Sequence, residues 1–481
     1  MTRTRVHAVC PSALLVDLYE LTMMQAYWAH GIAGSATFDL FVRRLPPSRN
    51  FLLAVGLETA VELLAGTRFT ADDLEYLSAT GLFDRGFLDE LGSFRFTGDV
   101  DAMAEGTVAF AREPVLRVTA PLLEAQFFES VLMNQYHVQT LLASKAARVV
   151  LAAGGRRVVD FGMRRMHGVD SAVAGARAYW VAGLDGTSNV LAGELYGIPI
   201  VGTMAHSFVQ CHSSELDAFR AFAATYPETV LLVDTYDTLQ GVEHVIELAR
   251  ELGDAFRVRG IRLDSGDLLE LSRAARHRLD AAGLGQVRIF ASGNLDEHRV
   301  SELVGEGAPI DAFGVGTRLG TSEDAPNLDL VYKLAQLDGR PLLKLSTDKA
   351  TLPGIKQVWR RVDDEGRFAG DVIGLAGEEL DGVPVLEPVM RHGARVLEPA
   401  DALAAARQRA AEQLAALPKS VRGLEPAEPP YTVEVSHALE ECVLKTTELL
   451  VTCRNRRPVE RGRGSGTGRG WPVQVSPPAP R

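Results

Sequence analysis

The sequence predicts an α/β protein whose middle third folds around a parallel sheet. Three observations carry this. Short apolar runs recur at Val158–Phe161, Ile198–Val201, Val230–Val233, Gly260–Leu263, Val287–Phe290 and Ala312–Val315. Helical stretches separate them at Ser171–Ala182, Glu215–Thr225, Gln240–Leu252, Asp267–Ala282 and Leu295–Val304. Strands that alternate with helices imply right-handed crossovers and parallel pairing. The runs are mostly apolar rather than alternating, so the sheet is covered on both faces. Six such strands suit either a doubly wound sheet or an incomplete barrel.

The flanking regions read differently. Residues 14–30 carry apolar groups at helical spacing and stop at Gly31, a residue that ends helices. Ala36–Val42 alternates, with Ala36, Phe38, Leu40 and Val42 on one face, as a half-buried strand does. Residues 53–65 read as a helix. Thr70 followed by Asp73 resembles a capping box that opens another. Strands broken at Gly106 and Pro114 are expected over 99–119, then a long helix from about Pro121 to Ala153. After Thr321 the alternation stops. Residues 327–400 read as β structure with turns such as Asp338-Gly339-Arg340-Pro341. Ala402–Leu417 is a helix with Asp401 placed as its N-cap and Pro418 beyond its end, and Val435–Thr452 is a second. The expected division is an α+β domain over 1–153, the α/β segment over 154–325, a β/α segment over 326–453, and a basic, disordered tail over 454–481.

Composition narrows the function classes. Of 481 residues 46% are apolar and 23% charged, as in an ordinary soluble protein. The net charge of −12 disfavours a broad nucleic-acid-binding surface. The seven arginines of the tail are read as a solvated segment rather than an RNA contact. Cys10, Cys211, Cys442 and Cys453 form no CxxC pair, which argues against a zinc site and for a reducing compartment. No apolar run has the length of a signal peptide or a membrane helix, and a cytoplasmic location is expected.

The chemistry gathers at one edge. The first run leads to Gly162, Arg164 and Arg165, and the second to Thr203, His206 and Ser207. Asp234, Thr235, Tyr236 and Asp237 follow the third. The fourth carries Arg262 and leads to Asp264, Ser265, Gly266 and Asp267. Ser292, Gly293 and Asn294 follow the fifth; Gly314, Gly316, Thr317 and Arg318 belong to the sixth. In a parallel α/β sheet all these positions lie at the carboxyl ends of the strands, where ligands bind. Glycines near helix starts offer bare N–H groups to phosphate. Arginines offer forked donors to carboxylate or phosphate. Asp264 and Asp267 suit ribose hydroxyls or a water-bound Mg²⁺, although Asp267 equally suits an N-cap. The pattern points to a phosphorylated sugar and an anionic co-substrate that meet near a histidine.

The stretches DLYELTM (17–23), FGMRRMHG (161–168), GTMAHSF (202–208), VDTYDT (233–238), IRLDSGDL (261–268), ASGNLDE (291–297) and FGVGTRL (313–319) together resemble the nicotinate phosphoribosyltransferases over about residues 14–360. The resemblance implies an N-terminal α/β domain, an incomplete (βα) barrel, a C-terminal segment packed on the first domain, and a homodimer with the site at the interface. It implies the conversion of nicotinate and phosphoribosyl pyrophosphate to nicotinate mononucleotide and pyrophosphate, coupled to ATP hydrolysis with Mg²⁺ or Mn²⁺. By this resemblance His206 takes the phosphoryl group. Tyr19, Thr203 and Arg262 contact nicotinate, Tyr19 from the partner subunit. Thr317, Gly316, Gly293, Asp264, Arg164 and Arg165 face phosphoribosyl pyrophosphate. It assigns no metal ligands. A nicotinamide enzyme would need a partner for the amide, and a quinolinate enzyme more cations. A sugar-phosphate lyase or isomerase would need a strand-end lysine or glutamate, and none of the six runs contains Lys.

Overall fold

The computed structural model describes residues 12–346, 349–396 and 402–455. Its centre is a six-stranded parallel sheet in the order Gly186–Thr187, Arg157–Asp160, Ala312–Val315, Arg288–Ala291, Gly260–Leu263, Val230–Leu232. The sheet curls without closing, which makes it an incomplete barrel. Five of the six expected strands are present, shifted by at most a residue or so at their ends. The remaining one, Ile198–Val201, is not a strand. Only Ile200 bridges Thr187, while Val201 N donates to Thr187 O and Thr187 N to Pro199 O. Pro199 has no N–H to extend a ladder, and Ile200 is exposed. The strand that replaces it, Gly186–Thr187, lies in a run of turn residues with no apolar signal.

The crossover helices start where polar side chains cap them. Ser214, Asp237, Asp267 and Asp296 each accept a backbone N–H from the first turn of the following helix, satisfying donors that the helix itself cannot. Asp267 is therefore a cap. The short helices Val190–Tyr196 and His206–Gln210 were not foreseen.

The N-terminal region builds on a seven-stranded sheet in the order 340–341, 330–337, 35–42, 114–121, 99–103, 386–391, 394–395. Strands from beyond residue 329 thus occupy both flanks of a sheet begun by residues 35–121. Ser35–Val42 is not half-buried as its alternation suggested: Thr37 and Asp39 are buried too, and Asp39 pairs with Lys356 at 2.7 Å. Both faces of this sheet are covered, so its polar residues need internal partners. Residues 52–54 form a short strand and the helix expected from 53 begins at Leu57. The long helix expected from Pro121 is two, Leu122–Phe127 and Glu129–Ala152. The capping box is present, with Thr70 N donating to Asp73 and Asp73 N to Thr70. Asp338 and Gly339 both have positive φ, as a tight hairpin turn between 330–337 and 340–341 requires.

A third, four-stranded sheet (383–384, 356–362, 368–375, 433–435) and the helices Ala402–Ala416 and His437–Asn455 complete the chain. The last helix runs two residues into the stretch expected to be unstructured. The proposed cap Asp401 and residues 456–481 lie outside the described residues. No helix among the described residues is long and apolar enough to cross a membrane.

Candidate active site

Arg262 is the centre of the carboxyl edge. It lies on the strand Gly260–Leu263 with its side chain 11% exposed and its guanidinium 5.5 Å from the centre of the Phe161 ring. Its donors are fixed one by one: Nε to Ser292 Oγ at 2.9 Å, Nη1 to Thr203 Oγ1 at 2.8 Å, and Nη2 to Asp264 Oδ1 at 2.9 Å. A longer bond runs from Nη1 to Met204 O at 3.4 Å. Three loops that are far apart in sequence therefore converge on one cation.

His206 opens the helix His206–Gln210, with its side chain 42% exposed. Its Nδ1 lies 3.1 Å from Thr235 Oγ1, and its Nε2 faces Asp264 Oδ2 at 4.0 Å. Burial pushes the Asp264 carboxyl up, but hydrogen bonds from Arg262 and Ser292 and the charge of Arg262 outweigh it and hold Asp264 below the usual carboxylate range. Asp264 is therefore an anion near neutral pH, with Oδ1 engaged and Oδ2 toward the histidine. Behind it, Asp234 Oδ2 accepts from Asp264 N at 2.9 Å and Ser265 Oγ at 2.6 Å. Asp234 Oδ1 is buried without a partner.

Beside this cluster a cavity of about 390 Å³ is lined by Asp264, Ser265, Gly266, Leu268, Gly293, Asn294, Arg299 and Arg318. Gly293 is essential to its wall. Its φ is +91°, and a Cβ there would stand 1.9 Å from Asp264 O, so a side chain cannot be accommodated. Arg318 pairs with Asp296 and with Glu323 at 3.1 Å. Thr317 begins the four-residue helix Thr317–Gly320 directly after Gly316.

Residues 14–136 match the nicotinate phosphoribosyltransferase (NAPRTase) N-terminal domain, and residues 156–351 match the nicotinate phosphoribosyltransferase (NAPRTase) family. The chain belongs to the nicotinate phosphoribosyltransferase family. It is 54% identical over 424 residues to the nicotinate phosphoribosyltransferase pncB2 of Mycobacterium tuberculosis, covering 88% of this chain and 91% of that one. It is 43% identical over 378 residues to the Bacillus subtilis nicotinate phosphoribosyltransferase, covering 77% of each. The crystal structure of human nicotinic acid phosphoribosyltransferase superposes with a TM-score of 0.79 at 30% identity, over 89% of this chain and 99% of that one. A nicotinate-nucleotide pyrophosphorylase from Pyrococcus furiosus superposes with a TM-score of 0.69 at 26% identity, over 84% and 95%.

Within this nicotinate phosphoribosyltransferase fold, the expected site residues fall into groups. His206, Thr203, Arg262, Asp264 and Gly293 come together around the bonds above. Gly316 and Thr317 adjoin Arg318 of the cavity wall. Arg164 and Arg165 are exposed on the 3₁₀ turn Met163–Arg165. Tyr19 stands on the N-terminal helix Leu18–Ala29, 43% exposed, and donates to Glu20 Oε1 at 3.3 Å. The described bonds tie it to its own domain and not to the Arg262 cluster. Burial and then the nearby Glu129 and Glu20 push the Tyr19 hydroxyl far above its usual range, so it stays neutral.

Several supporting residues were not singled out from sequence. Asp234, Thr235 and Ser292 stand among the strand-end polar groups but had no role assigned. Asp160 was hidden at the end of an apolar run. It is 1% exposed, accepts from Gly162 N at 2.7 Å and from Thr187 Oγ1 at 2.6 Å, and so fixes the turn that bears the two arginines. Burial raises its pKa, against those two hydrogen bonds. No group of three His, Cys, Asp or Glu side chains among the described residues is placed to hold a metal ion by itself.

Proposed function

We propose that this chain joins nicotinate to the phosphoribosyl group of phosphoribosyl pyrophosphate, releasing pyrophosphate, and couples that transfer to ATP hydrolysis through phosphorylation of His206. The observation that carries this reading is the fixed guanidinium of Arg262 beside His206. The bonds to Ser292, Thr203 and Asp264 leave a free N–H on Nη2, and the long bond to Met204 O is the one a substrate carboxylate would displace. A preorganised pair of N–H donors suits the carboxylate of nicotinate and gives little to a neutral amide.

Transfer breaks the bond between ribose C1 and the pyrophosphate oxygen and forms one from C1 to the pyridine nitrogen. Positive character builds on the sugar and negative charge on the leaving group. The glycine-lined cavity and Arg318 suit the phosphorylated sugar, and Arg164 and Arg165 suit the leaving pyrophosphate. In the ATP-driven step Nδ1–H of His206 donates to Thr235, which leaves the Nε2 lone pair to attack the γ-phosphorus as ADP departs. Water later cleaves the P–N bond and restores the imidazole. A divalent cation supplies charge neutralisation to the phosphates when bound. Asp264 Oδ2 is the protein oxygen that fits it, the remaining ligands coming from substrate oxygens, in keeping with how sparingly Mg²⁺ uses protein ligands. We place the working unit as a homodimer in which an exposed Tyr19 ring from one copy lies against the pyridine held by the other.

The test measures nicotinate mononucleotide and ADP together. Wild-type protein is expected to form both. His206→Ala is expected to lose ADP formation and keep at most slow ATP-independent transfer. Full ATP-coupled turnover in that variant would overturn the phosphohistidine assignment.

A further inference from the structure

Two of the loops just described are joined from behind by one buried ammonium group. Lys145 lies on the helix Glu129–Ala152, with its side chain 2% exposed. Its Nζ stands 2.6 Å from Glu297 Oε2 and 2.9 Å from Asp324 Oδ1. Glu297 follows Asp296, which caps the helix after the Gly293 loop and holds Arg318. Asp324 lies six residues beyond Arg318, at the end of the segment that starts with Gly316 and Thr317. Each carboxylate also has an arginine of its own. Arg148 Nε bonds Glu297 at 3.0 Å, and Arg49 bonds Asp324 through Nε at 3.0 Å and Nη2 at 3.1 Å. Among the described residues Lys145 is the cation that touches both.

We propose that Lys145 is a positioning residue for the phosphoribosyl pyrophosphate half of the site, setting the Gly293 loop against the Thr317 loop through Glu297 and Asp324. The inference rests on the function proposed above. The division of labour among the three cations gives it its content. Removing Lys145 leaves each acid paired with a guanidinium, so neither carboxylate is stranded, as it would be if a sole partner were lost. What disappears is the buried tie between Glu297 and Asp324, which leaves the partly exposed Arg318–Asp296 pair to hold the two loops together. A binding site formed by two loops is sensitive to their spacing, because small misplacements of binding groups are felt in rate and affinity. Nicotinate is held from the other side by Arg262 and Thr203, to which this network makes no direct bond.

The experiment compares wild type with Lys145→Met, which keeps an unbranched apolar stem and removes the ammonium group, in steady-state assays that vary each substrate. The expected result is a rise of about tenfold in the KM for phosphoribosyl pyrophosphate, with kcat and the nicotinate KM within about twofold. Asp324→Asn breaks one arm of the bridge while Lys145 keeps Glu297. It is expected to show the same split and decides the matter if Lys145→Met does not fold. A lowered Tm with an unchanged KM for phosphoribosyl pyrophosphate, or an equal change in both KM values, would make the network purely structural and overturn the inference. Wild-type protein that formed no nicotinate mononucleotide would instead overturn the underlying function, and this inference with it.

Discussion

Arg262→Lys tests the reading of the site most directly. The guanidinium makes three bonds of 2.8–2.9 Å to three different loops, and the proposed function has it bind the nicotinate carboxylate. A lysine ammonium is a point charge with three donors on a flexible stem, and it cannot reproduce that fork. The substitution keeps the charge and removes one of the two parallel N–H···O⁻ bonds to nicotinate. A hydrogen bond to a charged group contributes about 1.5–3 kcal/mol, so at ~1.4 kcal/mol per factor of ten the nicotinate KM should rise roughly 10- to 150-fold. The KM for phosphoribosyl pyrophosphate should change less than that for nicotinate, because Arg262 touches that half of the site only through Ser292 and Asp264 and makes no bond to the Thr317 loop. The same change removes a hydrogen bond that keeps Asp264 ionised. The Asp264 pKa should therefore rise, and the acid limb of kcat/KM should move to higher pH. Initial rates against nicotinate concentration across a pH series measure both effects. A nicotinate KM within twofold of wild type would refute the carboxylate clamp, whatever happened to the pH profile.

Two further predictions concern backbone and charge. Gly293→Ala places a Cβ where Asp264 O already stands, so the two loops must separate. A fall of about 100-fold in kcat/KM is expected, with Tm lowered by only a few degrees, because the strain falls on surface loops rather than the core. Initial rates and a thermal melt on the same sample decide it, and wild-type kinetics would show that the loop is not part of the site. Glu20 is fully buried, and burial pushes its carboxyl up to about 7, against the Ser130 hydrogen bonds and with help from Glu129 and Asp17. Its folded pKa lies above its unfolded one, so the native state binds more protons between about pH 4.5 and 7, and this group's contribution to stability falls as pH rises through that window. Glu20→Gln should remove that slope and raise Tm at pH 8, which melts at pH 5 and pH 8 measure. An unchanged difference between the two would refute it.

Much of the barrel was legible because its strands are apolar runs at a regular interval, and the helices between them carry caps with a known offset. The exceptions are physical. Gly186–Thr187 is a strand because two neighbours offer it partners, not because of its side chains, and Ile198–Val201 fails as one because Pro199 cannot donate. Among the site residues, Arg262, Asp264, His206 and Gly293 announced themselves by type and strand-end position. Thr203 bonding Arg262 across 59 positions did not, since only the fold brings them together. Asp160 and Lys145 were hidden for a second reason. Each sits among apolar neighbours in its own element, and its partners lie on others. Roles drawn from family resemblance, above all the phosphorylation of His206, had no signature in periodicity at all.

The central position of Ser35–Val42 in its sheet bears on how the chain is made. One edge of this strand pairs with residues 114–121, available early, but the other pairs with Leu330–Leu337, about 300 positions later. At 5–20 residues per second, the ribosome takes on the order of 15–60 s to deliver the missing partner. During that interval a hydrophobic strand bearing Phe38, Leu40 and Phe41 presents unpaired N–H and C=O groups, the template on which wrong chains add. A nascent chain cut short before residue 330 carries the same open edge permanently, so truncated products of this gene should aggregate even when every barrel residue is present.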